Sequence, residues 1–374
     1  MYTDLREQLC GYLAAINDAG IFNSRETIMS ADATIDIGGH KLLNFCTPDP
    51  LALNHICSNN AITACDTTEL EKQIAQLLNA DSCILYNSQA DANYALTNHL
   101  LNRNDAVIYC ALSQFAMSGG PTFCRPTKYK FHSFDTTDIE KQLKIAQAQQ
   151  NRLIIVDAVD MASGNIAPLN HIFALANRYK AIVAIDQTLS AGLIGHGGHG
   201  IFTIFDTIDN PEMQTGSLRH FGLSRGAYIA GRREIIDFLR QQPIPLSFDA
   251  PLTAHDIAVA RNAIGTATAM DTERQYILQI TNYFIKKLYC LGLEIPPTQT
   301  SRLAIMVGDS RKASLISSTL AQKGVLVQAA TSPLTSKDEA RLIISLSANH
   351  TKDDIEQATK IFESLLPMFT CGQQ

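Results

Sequence analysis

Four short apolar runs constrain this chain more than any other feature. Ser82-Cys83-Ile84-Leu85-Tyr86, Ala106-Val107-Ile108-Tyr109, Leu153-Ile154-Ile155-Val156 and Ala181-Ile182-Val183-Ala184-Ile185 are apolar on both faces. Helical stretches lie between them, as at residues 68–79 and 137–148. Continuous apolar strands interleaved with helices predict a parallel sheet covered on both sides. Asp157 and Asp186 each follow directly at the end of such a run. Ligands of open α/β sheets collect at that carboxyl edge. A buried carboxylate there can hold a pyridinium nitrogen protonated through a charge-assisted hydrogen bond. Helix capping explains an aspartate at such a position equally well.

The flanks read differently. Leu5, Leu9, Leu13 and Ile16 have helical spacing, and Gly20 can end that helix. Two β-like runs, 33–37 and 41–45, follow around Gly38-Gly39. From 254 to 291 the pattern is long and helical. Beyond it come strand-like 303–307, a helix at 311–323, strand-like 325–328 and 341–346, and a closing helix at 352–366. The expected organisation is an N-terminal arm (1–45), a large α/β domain (46–253) and a small C-terminal α+β domain (254–374).

Composition limits what such a chain does. With 46% hydrophobic residues it can bury a sizeable core, and 374 residues suit one large and one small domain. A net charge of −6 argues against nucleic acid as a partner, because phosphate contacts need a basic surface. No apolar run approaches the roughly 20 residues that span a bilayer, and the start has no apolar signal segment. None of the nine cysteines has C-x-x-C spacing, which leaves reduced thiols in a cytoplasmic protein as the expectation.

Three loops carry candidate chemistry, each with a plain structural alternative. Asn87-Ser88-Gln89-Ala90-Asp91 opens a helix whose free N–H groups could seat a phosphate, although capping by Ser88 and Asp91 explains the same residues. Gly195-His196-Gly197-Gly198-His199-Gly200 has two histidines but no rigid scaffold for a metal, and reads as a loop. Arg219 and His220, before the strand-like Ala227-Tyr228-Ile229-Ala230, are either anion-binding or surface residues.

Taken in order and spacing, several segments resemble the α-oxoamine synthase family of pyridoxal-phosphate (PLP) enzymes. They include 20–26 (GIFNSRE), 43–46 (LNFC), 68–71 (TELE), 84–88 (ILYNS) with Asp91-Ala92-Asn93, 164–169 (GNIAPL), 228–231 (YIAG) and 347–351 (SANHT). The resemblance implies the PLP-dependent transferase fold type I, with a mostly parallel sheet in the large domain and a smaller α+β C-terminal domain. It also implies a dimer with active sites at the subunit interface.

The same resemblance places the family's site residues on this chain. Backbone amides at Gln89 and Ala90 would hold the cofactor phosphate, and Asp186 would face the pyridine nitrogen. The ring-stacking histidine falls at Gln114, the histidine of D-[ED]-[SA]-H at Leu189, and a serine near the cofactor at Met161. The carboxylate-gripping arginine falls at Ile343, with Arg341 two residues earlier. The segment that contacts the phosphate from a partner subunit falls at Phe248 and Asp249. The Schiff-base lysine falls at His220 or, with a one-residue gap, at Arg219; no lysine lies between Lys180 and Lys286. Imidazole and guanidinium cannot form the imine. The link between Leu53 and Thr68 is much shorter than in the family.

These departures imply a catalytically inactive relative, as a homodimer or paired with an active family member, with covalent PLP absent. Two alternatives stand beside it. One is an acyl-CoA:amino-acid C-acyltransferase-like enzyme with noncovalent PLP. The other is a small-ligand binding module using the former cofactor cleft.

Overall fold

The computed structural model describes residues 33–37, 39–46, 50–53, 67–132, 134–205, 211–242, 252–332 and 338–370, with Asp18 and Thr335. The expected helix around Leu5–Ile16, the segment 20–26, most of the link from Leu53 to Thr68, and Phe248 and Asp249 lie outside these residues. In chain order the strands are β1 (Thr34–Ile37), β2 (His40–Asn44), β3 (Ser82–Tyr86), β4 (Ala106–Cys110), β5 (Thr127–Phe131), β6 (Arg152–Asp157) and β7 (Ile182–Asp186). They continue with β8 (Met213–Ser217), β9 (Ala227–Gly231), β10 (Arg302–Gly308), β11 (Val325–Leu326), β12 (Gln328–Ala330) and β13 (Ala340–Ser345). The helices are α1 (Thr67–Leu77), α2 (Gln89–Asn98), α3 (Gln114–Met117), α4 (Gly120–Phe123), α5 (Thr136–Ile145) and α6 (Leu169–Tyr179). After these come α7 (Arg233–Arg240), α8 (Ala254–Thr268), α9 (Asp271–Cys290), α10 (Ser310–Gln322), α11 (Lys352–Ser364) and α12 (Leu366–Thr370). Two compact units result, residues 48–276 and residues 1–47 with 277–374. Among the described residues no helix is long and apolar enough to cross a membrane.

The larger unit is built on a seven-stranded sheet in the order β3-β9-β8-β7-β6-β4-β5. β9 alone runs antiparallel, between β8 and β3; the other pairings are parallel. The alternation within β6 shows why the run is apolar throughout. Ile154 and Val156 pack with Ile139 and Leu143 of α5 and Leu169 and Ile172 of α6. Leu153 and Ile155 face the other way, among Leu96 of α2, Phe115 of α3 and Ile236 and Leu239 of α7. Each such fully buried aliphatic side chain contributes about 1.5–3 kcal/mol.

Helix ends in this unit follow from local chemistry. The Asp135 carboxylate accepts from Thr137 N at 2.8 Å and starts α5. Thr253 and Asp256 form a reciprocal capping box on α8. The long helical pattern from 254 to 291 divides at 269–270 into α8 and α9, and Arg274 in the first turn of α9 caps the break: its guanidinium donates to Ala267 O (2.5 Å) and Thr268 O (3.5 Å), the last carbonyls of α8. Lys180 ends α6 in the left-handed region at φ 51°.

The smaller unit holds two three-stranded sheets, β1-β2-β11 and β10-β13-β12. The strand-like run at 325–328 thus becomes two strands in different sheets. Val325 and Leu326 pair parallel with β2, and Gln328–Ala330 pair antiparallel with β13. The core stacks Phe45 on His350 (4.7 Å, 10°) and sets Phe284 against Phe45 and Phe362. Burial pushes the His350 pKa down to about 4. The neutral ring's Nδ1 accepts from Ser347 N at 3.0 Å.

Candidate functional site

Asp157 and Asp186 end neighbouring parallel strands in register, so the sheet places two carboxyl groups side by side at its carboxyl edge. Both are buried. Asp186 Oδ1 accepts from Thr188 N at 2.8 Å, and Asp157 Oδ2 accepts from Gln114 N at 2.9 Å. Asp157 Oδ1 is buried and has no hydrogen-bond partner among the described residues. Burial pushes the Asp157 pKa well up, and the neighbouring Asp186 charge pushes it further. Burial also raises Asp186 to about 6, against the two hydrogen bonds from Thr188 that favour its ionised form. A buried acid pair of this kind favours a cationic partner, which would pay back the cost of ionisation.

The turn after β3 lies against this pair. Ser88 Oγ accepts from Asp91 N (3.2 Å) and donates to Asp91 Oδ2 (2.8 Å), which starts α2. The amides of Gln89 and Ala90 open the helix and have no acceptor within it. They point the positive helix end at the carboxyl edge of the sheet. Gln89 Nε2 reaches Asp186 Oδ2 at 3.3 Å, Thr215 Oγ1 at 3.4 Å and Asn93 Oδ1 at 3.4 Å. The sequence pointed to the amide of Gln89 but not to its side chain, because these contacts join residues 97 and 126 apart. Register puts Thr215 opposite Asp186 and Tyr228 opposite Gly216. A Cβ at Gly216 would lie 2.4 Å from the Tyr228 hydroxyl, so this close approach requires glycine.

Other candidates fall as follows. Gln114 is the half-buried first residue of α3, and its main chain rather than its carboxamide reaches Asp157. Leu189 packs partly buried against the apolar cluster beneath α5 and α6. Met161 is half-buried in the turn after β6. Arg219 and His220 share a short 3-10 turn directly after β8; Arg219 is exposed and His220 is 8% exposed. In the other unit, Ile343 is a buried β13 residue paired with Ala304 and Gln328. Arg341 on the same strand is engaged by Glu339, at 3.0 Å to its carbonyl and 3.5 Å to its carboxylate.

The glycine-histidine loop at 195–200 is a structural anchor. Gly197 N donates to Asp271 Oδ1 at 2.9 Å, His199 Nδ1 lies 2.7 Å from Leu77 O, and Arg274 holds Gly192 O at 3.1 Å. Among the described residues no cluster of three or more His, Cys, Asp or Glu side chains could hold a metal ion.

The pattern of the family described as aminotransferase class I and II matches residues 51–362. The chain belongs to this family. Within it the similarity is to α-oxoamine synthases. The 8-amino-7-oxononanoate synthase of Petrotoga mobilis is 29% identical, over 97% of this chain and 98% of that one. The corresponding enzyme of Fervidobacterium nodosum is 32% identical over 79% and 76%. The 2-amino-3-ketobutyrate coenzyme A ligase of Salmonella typhimurium is 29% identical over 97% of each chain. Among solved structures, a serine palmitoyltransferase from S. paucimobilis with a bound PLP–myriocin aldimine superposes with a TM-score of 0.84, at 20% identity and 96% coverage of both chains. The fold is therefore the PLP-dependent fold type I, as the sequence implied.

Members of this aminotransferase branch are PLP-dependent. The paired acids and the amino end of α2 suit a protonated pyridine ring and a phosphate. Covalent attachment asks for a primary amine as well. The larger unit contains six lysines, Lys72, Lys128, Lys130, Lys141, Lys144 and Lys180, and all six are exposed. Lys180 directly precedes β7 at the amino edge of the sheet, a strand's length from Asp186.

Proposed function

We propose that this chain is an α-oxoamine-synthase-like protein that forms no imine with PLP and performs no acyl transfer of its own. The observation that carries this reading is the turn after β8, where the two candidates for the lysine position are the exposed Arg219 and the buried His220, and no lysine follows until Lys286. Imidazole is a competent acid or base near neutral pH but offers no primary amine for transimination. Three other positions that the resemblance picks out agree. Leu189 gives no hydrogen bond to a phenolate, Gln114 has no aromatic face to stack on a ring, and Ile343 cannot grip a carboxylate. The purified protein mixed with PLP is expected to show no internal-aldimine absorbance band and no turnover of acyl-CoA with glycine, alanine or serine. A visible band together with turnover would overturn the reading.

The buried pair Asp157–Asp186 favours a second reading, in which the cleft still binds a phosphorylated pyridine noncovalently. The apolar Leu189 and Met161 would then line a cleft that binds but does not react. In the family reading the chain assembles as a dimer, with itself or with an active relative. Co-expression with such a relative and analysis of the purified complex tests this. A homodimer that ignores every active homologue supports self-assembly.

A further inference from the structure

The noncovalent reading leaves open what competes for Asp186 in the free protein. We propose that the Gln89 carboxamide is an intramolecular stopper: it sits on the carboxylate oxygen that a protonated ring nitrogen would take, and a phosphorylated pyridine binds only by displacing it. The inference deepens the noncovalent reading of the same cleft.

Asp186 has two oxygens with different occupants. Oδ1 is held by the main chain of Thr188 at 2.8 Å, an interaction within the turn that a ligand need not disturb. Oδ2 accepts from Gln89 Nε2, at the start of α2, at 3.3 Å. That single nitrogen is shared with Thr215 Oγ1 and Asn93 Oδ1, both at 3.4 Å. All three distances exceed the 2.9–3.0 Å or so of a well-made N–H···O bond. The other end of the amide fares worse, because Gln89 Oε1 is buried with no partner among the described residues. A half-satisfied carboxamide on a buried acid is held weakly, and a cationic N–H donor is the better partner for the same oxygen.

The position of Gln89 makes the stopper separable from the rest of the cleft. It is the first residue of α2, and its backbone amide belongs to the phosphate-binding turn whatever its side chain. Shortening the side chain therefore frees Asp186 Oδ2 and leaves the helix end in place. Serine at this position keeps a polar first residue that cannot reach Asp186.

The test uses full-length protein and pyridoxine 5′-phosphate, which has the ring nitrogen and phosphate but no aldehyde. Its binding does not depend on whether an imine forms, so the outcome is independent of the absorbance and turnover assays. Affinities are read by isothermal titration calorimetry for the unaltered protein, Gln89→Ala, Gln89→Ser and each combined with Asp186→Asn, with circular dichroism to verify folding. Both single variants are expected to bind about tenfold tighter, the scale of one displaced hydrogen bond to a charged group. Asp186→Asn is expected to remove that gain, and the affinity for inorganic phosphate is expected to stay constant. Unchanged or weaker binding in both Gln89 variants would overturn the stopper. So would an equal gain for inorganic phosphate, or no binding of pyridoxine 5′-phosphate by any variant.

Discussion

Asp186→Asn should stabilise this protein, and the gain should depend on pH. Folding raises the Asp186 pKa from its ordinary 3.8 to about 6, chiefly by burial. A carboxyl shifted upward binds its proton more tightly in the folded state. Its contribution to stability is therefore greatest at low pH and is lost as pH rises from 3.8 through about 6. At about 1.4 kcal/mol per pH unit the full loss is about 3 kcal/mol. Asparagine keeps the acceptor for Thr188 N, and its amide can donate to Gln89 Oε1, which now lacks a partner. It also removes the charge that raises Asp157 further. The variant should gain up to about 3 kcal/mol at pH 8 and only about 1 kcal/mol at pH 4.5. The chain has no tryptophan, so urea unfolding is best followed by far-ultraviolet circular dichroism at both pH values. A loss of stability at pH 8, or equal effects at the two pH values, would refute the argument that a strained acid is retained here for a cationic ligand.

Other substitutions probe separate parts of the account. His220→Lys alone should not restore acyl transfer from acyl-CoA to an amino acid, because Leu189, Gln114 and Ile343 remain; measurable turnover would contradict this. Ser88→Ala removes the side chain that caps α2 and should cost about 1 kcal/mol in chemical denaturation. Arg274→Ala strips the bonds to Gly192 O, Ala267 O and Asp271 at the junction of α8 and α9, and should cost about 3 kcal/mol. A change under about 0.5 kcal/mol would show that the junction does not depend on it.

The parts of this structure written in local pattern were legible in the sequence. The apolar runs became β3, β4, β6 and β7, and Asp157 and Asp186 stand where the ends of those runs put them. Ser88 marked the start of α2, and Thr253 and Asp256 cap α8 by ordinary rules. Pairing was less legible. Nothing in Ala227–Gly231 announces that β9 runs antiparallel between β3 and β8, because that choice is made by partners far along the chain. The residues of 325–328 pair with two different sheets, and only tertiary contact could reveal this. Residue type alone does not rank Arg219 against His220 at the proposed lysine position, nor does it show that Arg219 is exposed and His220 buried. The Gln89–Asp186 contact is the clearest omission, since a glutamine at a helix start carries no sign of where its side chain goes.

The most direct measurement is borohydride reduction of the full-length protein equilibrated with PLP, followed by peptide mapping. The account predicts no saturable pyridoxyl adduct anywhere in the cleft, and only sparse, non-stoichiometric labelling of exposed lysines that Asp186→Asn leaves unchanged. A one-to-one adduct on a single residue, abolished by Asp186→Asn, would contradict it.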